Sequence, residues 1–440
     1  MENSFKYVAN DLFSQLTSNE YLTLSLSAEK SQFIRFNNAK IRQTGIINDS
    51  TLELSYIANN RRCTGSITLS GNFNVDKLRA DYELGRMRDE STQILEDPYI
   101  VLPKNLESTH SVVYQKGLAF EQAADLILPA ISGVDFVGIL ANGKLYRGNM
   151  NSLGQEHWFE TESHCLDYSL VAKNHQMVKG TFAGTDWLQS DFLKQIHDSK
   201  IKLELMNKKP IKITKGDYRT WFEPAAVADF ISMFSWNGIS ESSIQQGCSG
   251  FGKMRNNDIR LSPKFSISEN FKNGLVPKFN SNGESAPEHL DLINKGKLAN
   301  TLVSSRSAAE YGSTSNNAES GEYLRSPEMA AGSLSQNDVL NKIDKGLYLS
   351  NIHYLNWSDN PGGRITGLTR YACFWIESGE IVAPIQTMRF DDTFYNFFGN
   401  KLEEVGSEVK FIPEVGTYGN RNLGGTTCPG ILTNSFSLTL

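Results

Sequence analysis

Two-residue alternation runs through the first seventy residues and restricts the fold more than any other feature. The runs 21–27 (YLTLSLS), 32–36 (QFIRF), 51–57 (TLELSYI) and 64–69 (TGSITL) set apolar and polar side chains in turn. A period of two sends neighbours to opposite faces of a strand. Asn-Asn and Asn-Asp pairs stand between the runs, and such pairs reverse the chain tightly enough for an antiparallel meander. Ahead of them, Phe5, Val8, Ala9, Leu12, Phe13 and Leu16 share one helical face over residues 5–18. A polar helical stretch follows at about 74–96, a second helix at 118–128 (LAFEQAADLIL), then strands in DFVGIL, GKLYRG, CLDYSLVA and QMVKGTF. This half reads as N-terminal helices on an antiparallel sheet, and the chain as α+β.

A chain of 440 residues exceeds one ordinary core, so two domains are expected. A helix rich in Asp and Lys at about 186–199 leads into IKLELMNKKPIKI, and the boundary is set near residue 200. That gives an N-terminal α+β domain (1–200) and a C-terminal β-rich, barrel-like domain (201–440). The second opens with a helix at 223–234, EPAAVADFISMF, whose Pro224 falls in the first turn, where a missing N–H costs nothing. Residues 305–335 are mostly Ser, Gly, Asn, Ala and Glu, and read as a long surface excursion. Ser335 and Asp338 open a helix that faces Val339, Leu340 and Ile343 inward and stops at Gly346. Gly362 to Met388 is a glycine-rich loop, a strand, a Ser378-Gly379 turn and a return strand, and the chain ends on the β-rich ILTNSFSLTL.

Composition narrows the function classes. Hydrophobic residues at 39% and charged residues at 21% are globular values. The net charge of −6 and the lack of a basic stripe argue against a nucleic-acid partner; Lys208-Lys209 is a short solvated run. The N-terminus lacks the pattern of a secretory signal, and no run of about 18 apolar residues suggests a membrane span. The five cysteines are odd in number, widely spaced and without CxxC, which implies a cytosolic chain with buried free thiols.

Few residues form a recognisable chemical motif. None of the seven histidines is followed by Glu, and no two stand four or five apart; neither HExxH nor HExxxH exists. In EHWFETESHC, His157 and His164 are separated by an odd number and point to opposite faces of a strand, with Cys165 beside them. Gly247 to Met254 (GCSGFGKM) nearly fits a phosphate loop, but Met254 replaces the magnesium-holding hydroxyl, and no buried strand precedes it. Cys373 alternates with Phe374 and Trp375 and reads as buried. Cys428 lies in a turn without a neighbouring His, and Glu377 with Glu380 flanks an exposed hairpin tip.

The segments FIRFNNAKIRQTG (33–45) after Glu29 and Ser31, FEPAAVADFI, LSPKFSISEN, the run NSNGESAPEHLDLINKGKLANTLVSSRSAAEYG and the hairpin GLTRYACFWIESGEIVAPIQTM together resemble the TldD/PmbA family, once described as modulators of DNA gyrase. The resemblance implies a family of two subunit types. TldD-like chains carry HExxxH on the mid-chain helix and a later cysteine ligand, and act as zinc metallopeptidases. The helix here reads Glu223-Pro224-Ala225-Ala226-Val227-Ala228, so this chain resembles the PmbA/TldE, metal-free type. The resemblance then implies no catalytic or metal residue and no cofactor in this chain, zinc in a TldD-like partner subunit, and a peptide substrate; a homodimer is one form open to the isolated chain. Candidate guiding residues are Arg364, Thr366 and Arg370 before the hairpin, and Glu223 on the displaced metal helix. The alternatives are a peptidase in its own right, with zinc on His157, His164 or Cys165, and a regulator that binds gyrase or DNA, the latter disfavoured by the acidic balance.

Overall fold

The structure, a computed structural model, describes residues 1–104 and 106–440. Two sheets organise it. The first holds β1 (Glu20–Asn37), β2 (Lys40–Ala58), β3 (Arg61–Thr68), β4 (Thr109–Val113), β5 (Asp135–Asn151), β6 (Glu156–Val171) and β7 (Met177–Gly184). Its order is β3-β2-β1-β5-β6-β4, with β7 also on β6. All its pairings are antiparallel except β4 with β6. Helices α1 (Glu2–Ser14), α2 (Phe73–Ser91), α3 (Ala123–Ile131) and α4 (Gln189–Met206) complete this half.

Alternation does what it promised. Leu22, Leu24 and Leu26 of β1, with Leu52 and Leu54 of β2, join the buried faces of α1 and α2 through Phe5, Leu12, Ala80 and Leu84. Further along the same face, Ile34 and Phe36 meet α3 and α4 at Ile127, Phe192 and Ile196. Ser25, Ser27, Glu29 and Ser31 therefore point to the opposite, polar face.

The runs 21–27 and 32–36 are one strand rather than two, because Ala28 to Ser31 are paired on both sides, to β2 and to β5. The Asn37–Asn38 and Asn59–Asn60 pairs turn the chain as expected, whereas Asn48-Asp49 lies inside β2. DFVGIL and GKLYRG likewise fuse in β5 through Gly143, whose φ is 135° and where a Cβ would stand 2.3 Å from the Lys30 carbonyl oxygen. The helix expected at 118–128 forms later, as α3, and the one expected to end near 199 runs on to Met206. Residue 200 thus lies within α4, whose Phe192, Ile196 and Leu203 share a core with Phe374 and Leu432 from the second half.

The second sheet comprises β8 (Gly216–Phe222), β9 (Ile267–Asn270), β10 (His289–Asn294), β11 (Lys297–Leu298), β12 (Pro327–Met329), β13 (Gly346–Asp359), β14 (Arg364–Glu377), β15 (Glu380–Pro384), β16 (Arg389–Thr393), β17 (Leu402–Pro413) and β18 (Gly425–Leu438). Along β18-β16-β14-β13-β8 the order returns on itself, because β8 also pairs with β18. This closed ring is the barrel-like end of the α+β expectation. Helix α5 (Pro224–Ser232) follows β8 directly and buries Val227, Phe230 and Ile231. Phe230 packs on Phe390, Phe397 and Phe436.

Residues 305–335 correct the surface-excursion reading. They contain a helix, Ser305–Tyr311, and strand β12, and they bury Glu322. That carboxylate accepts hydrogen bonds from Ser240 Oγ, Ser242 N and Ser304 N. Hydrogen bonds, together with the buried Ala318, Met329 and Leu334, order this segment.

Candidate functional site

The polar face of the first sheet looks onto the second half across a cleft with a volume of about 690 Å³. Ser25 and Ser27 of β1 and Arg147 and Asn149 of β5 line one wall, side by side because Ser27 pairs with Arg147 and Ser25 with Asn149. Ser232 and Ser235, at the C-terminal end of α5, line the other with Trp236. Val276, Pro277, Phe279 and Tyr323 add apolar surface, and Glu53, Glu319, Arg325 and Glu414 add charge. Trp236 and Tyr323 are exposed at 55% and 44%, large for aromatic side chains with no interior role.

The segment between β17 and β18 ties the halves together beside this cleft. Arg421, 3% exposed, donates to Ser31 Oγ (3.2 Å), Gly143 O (3.3 Å), Ser163 O (3.1 Å) and Ser163 Oγ (2.9 Å). Its own N–H reaches Glu29 Oε1 at 3.3 Å. Burial pulls the guanidinium down to about 10, against the opposing pull of Cys165 and Glu29.

Helix α5 carries the residues on which the family resemblance turns. Glu223 stands at its N-cap position, where its carboxylate takes the Lys202 ammonium and the Tyr348 hydroxyl. Burial works against the Glu223 charge, but Lys202 and Tyr348 overcome it and hold the carboxyl below its ordinary range. Cys428 packs under the same end and donates to Pro224 O at 3.2 Å; burial pushes its thiol far up. Ala225, Ala226 and Ala228 offer no ligand atom. Among the described residues no three His, Cys, Asp or Glu side chains converge on a point. The donor set of this helix does not fit a zinc ion.

Asp229, half-buried on α5, was not singled out by the sequence. Burial, with the Glu414 charge adding to it, raises its carboxyl to about 7. Sequence reasoning also passed over Arg147, Arg421 and Glu414, since a lone charged residue in a strand or loop looks like an ordinary solvated position. The one available signal was the serine side of the LTLSLS alternation, which marks the face that the cleft uses.

The other candidates fall elsewhere. None of Glu223, Arg364, Thr366 and Arg370 lines the cleft. The last three lie in β14 rather than in a loop. Arg364 pairs with Asp391 at 3.0 Å, and Thr366 Oγ1 donates to Phe390 O at 2.9 Å. The Arg370 guanidinium sits 5.1 Å from the Tyr371 ring centroid. His157 and His164 do point to opposite faces. His157 bonds Thr109 Oγ1 and Gly283 O, whereas His164 is enclosed by Phe182 and Trp187. Seven residues of strand hold them roughly 23 Å apart, so they cannot share an ion. Of the five thiols, Cys63, Cys373 and Cys428 are buried, Cys165 is half-buried and Cys248 is exposed, which corrects the expectation that all are buried.

Residues 215–440 match the family model of the PmbA/TldA metallopeptidase C-terminal domain. No curated protein matches the chain. Among solved structures, a protein of Thermotoga maritima described as a modulator of a DNA gyrase superposes with a TM-score of 0.78 at 16% identity, over 99% of this chain and 100% of that one. TldE from Thermococcus kodakarensis gives 0.74 at 14% identity, over 99% and 100%. A protein of Bacteroides thetaiotaomicron, also described as a modulator of DNA gyrase, gives 0.76 at 13%, over 100% and 98%. At these identities the superpositions speak to the fold; the domain match, over half the chain, speaks to descent. The chain belongs to the TldD/PmbA family, whose C-terminal domain is that of a metallopeptidase.

Proposed function

We propose that this chain is the peptide-holding, zinc-free subunit of a two-subunit metallopeptidase of the TldD/TldE type. The observation that carries the reading is the state of α5. Its N-terminal carboxylate is committed to Lys202 and Tyr348, its nearby thiol to Pro224 O, and its middle is alanine. Such a helix supports a wall, not an ion. The cleft supplies what a peptide needs: exposed aromatics, a polar sheet face and charged groups on both sides. The zinc and its activated water belong, in this reading, to a partner subunit bearing HExxxH.

Two measurements test it. Elemental analysis of the purified chain is expected to find substoichiometric zinc. Peptide cleavage is expected only after mixing with a related chain that bears HExxxH, and chelation of that partner's metal is expected to abolish it. Full cleavage by this chain alone, with a stoichiometric metal, would overturn the assignment.

A further inference from the structure

The wall formed by β1 and β5 presents to the cleft an arginine, Arg147, that forms no ion pair among the described residues. Arg147 lies in this wall, Arg421 reaches the sheet from the segment between β17 and β18, and Glu29 is the carboxylate whose field reaches both guanidiniums. Glu29 is 2% exposed; among the described residues one of its oxygens accepts only the Arg421 backbone N–H, and the other has no hydrogen-bond partner. Neither guanidinium forms an ion pair among the described residues. Both Nη atoms of Arg421 are taken by the serines and carbonyls described above. Those of Arg147 are less firmly held. Its Nη1 donates to Tyr146 O at 2.8 Å and reaches Ala28 O at 3.5 Å, while Nη2 reaches Arg421 O at 3.4 Å. Two of these three contacts are at or near the limit of a hydrogen bond, and the side chain lines the open cleft. His164 adds no charge to the region, since burial leaves it neutral down to about pH 4. The cleft carboxylates Glu53, Glu319 and Glu414 come from other parts of the lining, and none of them forms an ion pair with Arg147 among the described residues, so the cation better placed for a ligand is the one on the cleft wall.

We propose that Arg147 is an anchor for a carboxylate of the peptide that occupies the cleft. A guanidinium fork matches a carboxylate in shape, and the pair gains strength where water is scarce. The apolar surface of Val276, Pro277 and Phe279, with Trp236 and Tyr323 at the rim, then receives the neighbouring residues of the same peptide. The carboxylate comes either from the chain terminus or from an acidic side chain. This inference rests on the peptide-holding reading above and adds the chemistry by which the peptide is recognised.

The test uses the full chain and three peptides labelled at the N-terminus with an uncharged boron-dipyrromethene dye, read by fluorescence polarisation. One is a hexapeptide of alternating Ala and Leu with a free terminal carboxylate; the second is its C-terminal amide; the third is the amide with one internal Asp. The free acid, the Asp amide or both are expected to bind about tenfold or more tighter than the plain amide, and which of them does so identifies the source. Arg147→Met is expected to bring the peptides to within about twofold of one another, and Arg147→Lys to keep part of the preference. Circular dichroism confirms that each variant is folded. Equal binding of acid, Asp amide and plain amide by the wild-type chain sinks the anchor while leaving the peptide-holding reading intact, and that comparison needs no variant. A preference that survives Arg147→Met also sinks it. Absence of binding by every peptide overturns both readings together.

Discussion

Glu223 holds a lysine and a tyrosine at once, so trimming it strands two polar groups beside a barrel core. Glu223→Ala is expected to cost about 2–4 kcal/mol, measured as a lower urea midpoint with an unchanged slope. Glu223→Gln, which keeps an acceptor for Tyr348, should cost less. His164 makes a second, opposite kind of demand. Burial, and then the Arg421 charge, lower its pKa to about 4, while an unfolded histidine titrates near 6.5. Its contribution is therefore complete above about pH 6.5 and fades as pH falls toward 4, because only the unfolded chain takes the proton. His164→Phe, flanked by Phe182 and Trp187, should remove about 2–3 kcal/mol of that acid sensitivity, seen as a flatter melting temperature between pH 7 and 4.5. At this scale the sequence was readable where geometry is local. The odd spacing of His157 and His164 foretold opposite faces. It was silent on Arg147 and Asp229, because what surrounds a charged side chain is decided by segments hundreds of residues away.

Elements follow the sequence as far as neighbours permit. The runs 21–27, 32–36, 51–57 and 64–69 were visible as alternation, yet 21–27 and 32–36 joined because pairing on both sides pulls Ala28 to Ser31 into line. No single-strand pattern contains that information. Gly143 shows how narrow the tolerance is. Gly143→Ala would place a methyl against the Lys30 carbonyl at a left-handed backbone angle, and is expected to destabilise the protein by about 2–3 kcal/mol in thermal unfolding. In α5 the raised carboxyl of Asp229 produces the mirror image of His164. The folded chain keeps that proton up to about pH 7, whereas an unfolded aspartate releases it near 3.9. Stability therefore falls as pH rises between those values. Asp229→Asn should relieve the loss and make the protein more stable at pH 8 by on the order of 1–2 kcal/mol, reduced from the full linkage value because the side chain is only half-buried. Helix α5 itself, with Pro224 at its start, was fully legible from residues 223–234.

For the whole molecule, the first sheet and the barrel are coupled by the shared core around α4 and by one arginine from the segment between β17 and β18. Arg421→Ala removes every side-chain bond between that segment and the first sheet's Ser31, Gly143 and Ser163. The variant is expected to be cut by chymotrypsin within residues 414–424, after Tyr418 or Leu423, at least about tenfold faster than the parent, as local opening needs less free energy. The α+β plan and the barrel-like end were foreseeable from the order of elements, but the ring closure was not, since β8 and β18 lie at opposite ends of the second half. That closure gives the last strand a singular position. β18 borders β8, β12, β16 and β17, so four ladders wait for one segment. A polypeptide interrupted anywhere before Gly425 would leave all four with bare edges and α5 without its Phe436 neighbour. Unfinished copies of this protein thus carry their own mark of incompleteness, a half-assembled surface that cellular proteases can recognise and that completed copies never show.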